Sequence, residues 1–215
     1  MLVFFDSDTQ NDYILATGKF ALPNAENLRE NLKRLTDFAR KRKLRIISSV
    51  DRHFGTKKYR SLEVSELDVW GGPFPLHCVD GTPGQKKIKE TASKKAALVE
   101  NRKYSSAAIK RICAKREIVI EKQKFSAFSN PNTAKILKFL KVKKAVLYGV
   151  ATDYQVRSAA LELRQMGIDV YLVIDAVKSL NVRPTDGEIS TRQMQAAGVR
   201  IVTASKVLTE LPIFA

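Results

Sequence analysis

Short apolar runs alternate with helical periods along the whole chain. Leu2 to Phe5 forms the first run, and the polar stretch DSDTQND follows it. Further runs stand at Leu44 to Val50, Ile118 to Ile120, Ala145 to Tyr148, Val170 to Ile174 and Val199 to Val202. Rich in β-branched residues, these segments read as strands buried on both faces. Between them, Leu28, Leu32, Leu35 and Ala39 share one helical face after Pro23 and Asn24. Further helices fit at about 132–140, 154–166 and 187–197, where Gly167 and Gly198 make C-terminal stops. Six strands alternating with helices predict an α/β fold of three αβα layers around a six-stranded, mostly parallel sheet. With no internal repeat and no linker, residues 1–215 are expected to form one domain. Ligands of such sheets bind outside the carboxyl ends of the strands, where Asp8, Asp51, Lys122 and the GVATD segment fall. Residues 54–103 interrupt the alternation with three Pro and the turn-rich GGPFP and DGTPG, and loops that long are functional or mobile.

Composition changes this picture in three places. Lys and Arg number 38 against 22 Asp and Glu, a net charge of +16, and the excess is concentrated at 86–124, with 13 basic residues against four Glu, and again at 29–45. A nucleic-acid scaffold is one reading of that charge, but only Tyr104 interleaves between Phe74 and Phe125, so it ranks last of the functions considered below. No apolar run approaches the roughly 20 residues that span a bilayer, so no membrane partner is expected. Two cysteines, Cys78 and Cys113, make no disulfide framework and suit a reducing, cytoplasmic setting.

The whole imidazole inventory, His53 and His77, lies in one quarter of the sequence. His53 follows Asp51 by two residues at a strand end, and His77 sits in the proline-rich loop. An Asp, His, His set with open positions suits a divalent cation such as Zn²⁺, Fe²⁺ or Mn²⁺. Two surface histidines satisfy the same spacing equally well, because D-x-H is a short pattern.

Five collinear segments carry a resemblance. SDTQNDY at 7–13, DRH at 51–53, GGPFPLHCVDGTPG at 71–84, EKQKFSAF at 121–128 and GVATDYQVRSAA at 149–160 resemble the nicotinamidase/pyrazinamidase branch of the isochorismatase-like cysteine hydrolases. The resemblance implies that family's fold, a divalent metal on Asp51, His53 and His77, and self-association into a homo-oligomer. It also implies a nicotinamide-like amide or acid as ligand. Tyr13 and Phe74 would flank the pyridine ring, and Ala151, preceded by a cis peptide bond from Val150, would contact the ligand. On the residues alone, the two aromatics read as core, Asp8 as a turn cap and Lys122 as a solvated lysine.

By the same resemblance the family's catalytic Asp, Lys and Cys map to Asp8, Lys122 and Gln155. Amide hydrolysis by that route needs a thiolate to attack the carboxamide carbon, a carboxylate to move the proton, and a cation that favours the ionised pair. Backbone N–H groups at the helix start after GVATD would hold the oxyanion. A glutamine side chain is an uncharged amide with no useful nucleophilicity, and neither Cys78 nor Cys113 stands after that strand. Thiol-dependent amidase activity is therefore expected to be absent, which makes the chain a pseudoenzyme candidate. Three functions are compatible with these residues. The first is a metal-bearing pocket for a small amide or carboxylate, with Gln155 as hydrogen-bond partner. The second is an isochorismatase-type hydrolase acting through Asp8 or a metal-bound water. The basic nucleic-acid scaffold is the third.

Overall fold

The first apolar run becomes β1 (Leu2–Ser7), and it lies in the middle of the sheet. In the computed structural model, which describes residues 1–214 with side chains through residue 210, β1 is flanked by β2 (Arg45–Asp51) and β5 (Lys144–Val150). Beyond β2 come β4 (Glu117–Lys122) and β3 (Ala97–Val99); beyond β5 come β6 (Asp169–Lys178) and β7 (Arg200–Val202). All pairings among these seven strands are parallel. The six-stranded, mostly parallel expectation is corrected by one strand. β3 was invisible because its apolar run, Ala96 to Val99, is short, half alanine and set inside the long 54–103 segment, and at the sheet edge only Val99 is fully buried while Leu98 is exposed.

Alternate residues of the central strands serve two separate cores. Val3, Phe5, Ala145 and Leu147 pack with α3 (Ser106–Cys113), α4 (Thr133–Phe139), α5 (Arg157–Gln165) and α6 (Asp186–Ala196). Phe4, Val146 and Tyr148 pack on the opposite face with α2 (Arg29–Lys41) and α7 (Ala204–Phe214). α2 buries Leu32, Leu35 and Ala39 as the pattern required, but the chain enters it through a 3₁₀ turn at Ala25–Leu28 rather than a helix opened by Pro23. The segment expected to be helical from about 154 begins instead as a π-helical turn over Thr152–Val156.

The long 54–103 segment is tied down rather than free. The amides of His53 and Asp80 exchange backbone hydrogen bonds with Cys78 and His53, and Ile88 donates to Thr9 beside the short helix α1 (Asn11–Ile14). At the far side, the Asn130 side chain donates to the carbonyls of Val99, Glu100 and Glu121, closing the carboxyl ends of β3 and β4.

Candidate active site and metal centre

Three strand ends bring three charges together. β2 and β4 are paired in register so that Asp51 faces Lys122, and β1 delivers Asp8, in a left-handed conformation (φ 50°), from the other side. Lys122 is wholly buried, with Nζ 2.7 Å from Asp51 Oδ1 and 3.2 Å from Asp8 Oδ2. One cation between two carboxylates cannot satisfy both, and the pair divides accordingly. Burial pushes Asp8 up to about 7, only partly opposed by Lys122, and its Oδ1 has no hydrogen-bond partner. Burial also acts on Asp51, but Lys122 with the two histidines outweighs it and holds that carboxyl down at about 2. Asp51 therefore carries the charge. Its backbone is clamped by Gln10, whose side chain accepts from Asp51 N–H at 2.7 Å and donates to Asp51 C=O at 2.8 Å.

His53 follows directly from the end of β2, and His77 is carried by the loop that the Asp12 carboxylate holds. Asp12 accepts from the N–H of Cys78 at 2.7 Å and of Lys19 at 3.0 Å. A Cβ on Gly84 would lie 2.2 Å from both oxygens of that carboxylate, so only glycine fits there. The donor atoms of Asp51, His53 and His77 all lie within 4.8 Å of one another, and all three residues are buried. Burial lowers the pKa of both imidazoles, His77 to about 4, so both are neutral near pH 7 and hold lone pairs. His77 Nδ1 is 2.6 Å from the Pro75 carbonyl, which requires the proton on Nδ1 and leaves Nε2 an acceptor. Behind His53 the buried Glu63 carboxylate accepts from the N–H groups of Phe54 and Gly55 and from Trp70 Nε1, with Oε1 3.8 Å from His53 Nδ1.

The Tyr13 hydroxyl stands among these ligands. It lies 2.6 Å from Asp51 Oδ2 and 2.7 Å from His77 Nε2, and burial followed by the Asp51 charge keeps its pKa well above the ordinary phenol value. One phenol proton thus faces two acceptors. Gln155, on the π-helical turn, completes the group. Its Oε1 accepts from the N–H of Ala151 at 3.0 Å, and its Nε2 is 3.3 Å from Tyr13 Oη and 3.5 Å from Asp51 Oδ2. The peptide bond between Val150 and Ala151 is cis.

Over these groups lies a cavity of about 10 Å³, room for a single water molecule. Its walls include Phe20, Phe74, Phe125 and Tyr154, with Phe20 centred 4.7 Å from the His77 ring and 5.1 Å from Phe74. None of Asp8, Lys122, Cys78 and Cys113 lines that cavity.

A model of the isochorismatase domain matches residues 107–206. The nicotinamidase of Escherichia coli (strain K12) is 26% identical over 212 residues, covering 91% of this chain and 92% of that protein. The crystal structure of the pyrazinamidase of Pyrococcus horikoshii in complex with zinc matches with a TM-score of 0.72 at 25% identity, over 94% of this chain and 98% of that one. Over residues 107–206 the chain is isochorismatase-like. Over nearly its whole length it is nicotinamidase-like. PnC1 from L. infantum, solved in complex with nicotinate, shares the fold at a TM-score of 0.72 and 21% identity, over 95% of this chain and 93% of that one.

In this nicotinamidase-like chain the structure brings Asp8, Asp51, His53, His77, Lys122, Tyr13, Phe74, Ala151 and Gln155 to one edge of the sheet. Gln10, Asp12, Phe20, Glu63, Phe125 and Tyr154 also belong to the site or its support and had no role in the sequence reading. Gln10 and Asp12 lie inside the SDTQNDY segment, which was the available signal. Glu63 had none, since a glutamate in a long polar loop reads as solvated.

Proposed function

We propose that the chain keeps the ligand pocket of nicotinamidase-like hydrolases, for a small aromatic amide or acid beside a divalent cation, without the thiol-dependent amidase reaction. The observation that carries this reading is the position of the Gln155 side chain. Its carboxamide oxygen takes the N–H of Ala151, the residue that the resemblance sets against the ligand, and its NH₂ points to Tyr13 and Asp51. The protein's own carboxamide therefore stands where a substrate carboxamide would lie, and since the remaining cavity has room for only one water molecule, a ligand has to displace it.

Asp51, His53 and His77 fit a divalent cation. The set combines one carboxylate with two neutral imidazoles, and the lone pairs of Asp51 Oδ2 and His77 Nε2 outnumber the single Tyr13 proton offered to them. A bound ion would supply Lewis-acid polarisation of a ligand's ring nitrogen, carbonyl or carboxylate. Lys122 keeps Asp51 ionised for that task, Gln10 fixes its backbone, and the aromatic walls favour a planar ring.

Ammonia release from nicotinamide by the native chain and by Gln155→Cys tests the reading, together with calorimetric titration of nicotinamide into native protein and Gln155→Ala. The expected result is a silent native chain, turnover in the cysteine variant, and tighter nicotinamide binding by the alanine variant. Ammonia release by the native chain at a rate equal to the cysteine variant would sink the proposal.

One observation favours a second reading, an acid-catalysed hydrolase. Asp8 is held protonated up to about 7, with Oδ1 unpartnered. A vinyl-ether substrate turned over by the native chain and lost in Asp8→Asn would establish it.

A further inference from the structure

We propose that the amino edge of the sheet, opposite the pocket, binds the phosphate backbone of nucleic acid. In a parallel sheet every strand begins on that edge, and residues 41–45, 110–116 and 138–144 carry the chain from the C-terminal ends of α2, α3 and α4 into β2, β4 and β5. Each of the three segments holds four Lys or Arg, and none holds an Asp or Glu. The strand order β4-β2-β1-β5 sets them side by side across about 14 Å, three strand spacings.

Hydrogen bonds tie the first two segments together. The Arg45 guanidinium donates to the Lys115 carbonyl at 2.6 Å, and Arg116 donates to the Lys43 carbonyl at 2.7 Å. Met1 joins the third segment, its N donating to the Lys141 carbonyl at 3.2 Å. Of the twelve side chains only Arg45 and Lys144 are half-buried; the other ten are exposed. Among the described residues no carboxylate forms an ion pair with any of those ten. The nearby carboxylates are already engaged, Glu117 with Arg40 and Asp169 with Arg164.

One cation near each helix C-terminus would suffice to offset the helix dipole. The two exposed lysines just past α2 and α4 argue for more than that. Lys43 (φ 56°) and Lys141 (φ 51°) occupy the left-handed position after their helices, which α5 and α6 give to Gly167 (φ 73°) and Gly198 (φ 84°). Glycine is the residue that adopts this conformation without strain, so a lysine there keeps charge at the expense of backbone ease.

A polyphosphate chain matches a dense field of one sign with no acidic residues between. α2, α3 and α4 meet this edge with their C-terminal ends, so no helix is laid out to read base edges, and Phe139, 51% exposed, is a lone aromatic for stacking. Binding is therefore independent of sequence. The same end-on arrangement offers no apolar helix face to lie in a bilayer interface, which disfavours an anionic membrane. The low rank that composition gave to nucleic acid is revised by where the charge is gathered.

The test is fluorescence anisotropy of the full chain with a labelled single-stranded RNA of about 20 nucleotides across a salt series. The rim variant Lys43→Gly, Lys141→Gly, Lys115→Gln, Lys143→Gln is compared with a control that loses the same charge at the carboxyl edge, Lys19, Lys57, Lys58 and Lys103→Gln. Native protein should show log affinity falling linearly with log salt. The rim variant should bind at least about tenfold more weakly at about 0.1 M salt, with a shallower slope, and the control should stay within about twofold. Thermal unfolding of both variants checks that they are folded, and Lys43→Gln with Lys141→Gln replaces the glycines if those destabilise. Equal losses in rim and control variants would reduce the effect to net charge and overturn the proposal. So would absence of native binding at about 0.1 M salt, or tighter binding to phosphatidylserine vesicles than to RNA.

Discussion

At the carboxyl edge of the sheet Lys122 is wholly buried between Asp8 and Asp51, whereas at the amino edge Lys43, Lys115 and Lys141 stand exposed with no carboxylate partner among the described residues. Both regions are built at strand ends of one sheet, yet they hold charge by different rules. A buried charge is tolerated only in its own geometry, with each partner compensating another. An exposed charge is tolerated anywhere in water, and its effect comes from summation with its neighbours. Position decides the first region and number decides the second.

The hardest blow to that contrast comes from Lys122→Met. Two carboxylates would be left buried with no cation, and the expected loss of unfolding free energy in urea at pH 7 is about 3–5 kcal/mol. A loss no larger than that of an exposed lysine substitution would erase the distinction between the edges. Acidification should separate them next, because the amino-edge lysines and arginines stay charged throughout. His77 has its folded pKa lowered by burial from 6.5 to about 4, so its contribution is complete above 6.5 and disappears as pH falls toward 4. Native protein should lose stability relative to His77→Gln across that interval, by on the order of 3 kcal/mol in all. A constant difference between the two across the interval would mean that His77 is not held neutral. The smallest effect belongs to the amino edge. Lys43→Gly relieves a left-handed lysine and should leave stability unchanged or raise it by up to about 1 kcal/mol, read as a higher Tm.

Much of the fold was legible because a fully buried parallel strand needs a continuous apolar run, and six of the seven strands have one bounded by polar residues and alternating with helical periods. β3 does not, since its short, half-alanine run lies inside the long 54–103 segment and only Val99 is fully buried. In the site, Asp51, His53 and His77 were readable as ligand types, and the structure gathers them from positions up to 26 apart in sequence (77 − 51). The hydroxyl of Tyr13 was not readable, because an aromatic at that place reads as ring and its Oη acquires meaning only between Asp51 and His77. The amino edge was half visible. Two basic stretches stood out along the chain, but the segment at 138–144 joins them only once β1 is seen to lie between β2 and β5.

The indole beside Glu63 gives the candidate metal centre an optical handle. Trp70 is the sole tryptophan of the chain, and its Nε1 donates at 3.0 Å to the carboxylate whose other oxygen faces His53. A cation that draws His53 toward itself alters the electrostatic surroundings of that single emitter. Titration with Zn²⁺ can therefore be followed by intrinsic fluorescence, without a label and without a second indole to blur the signal.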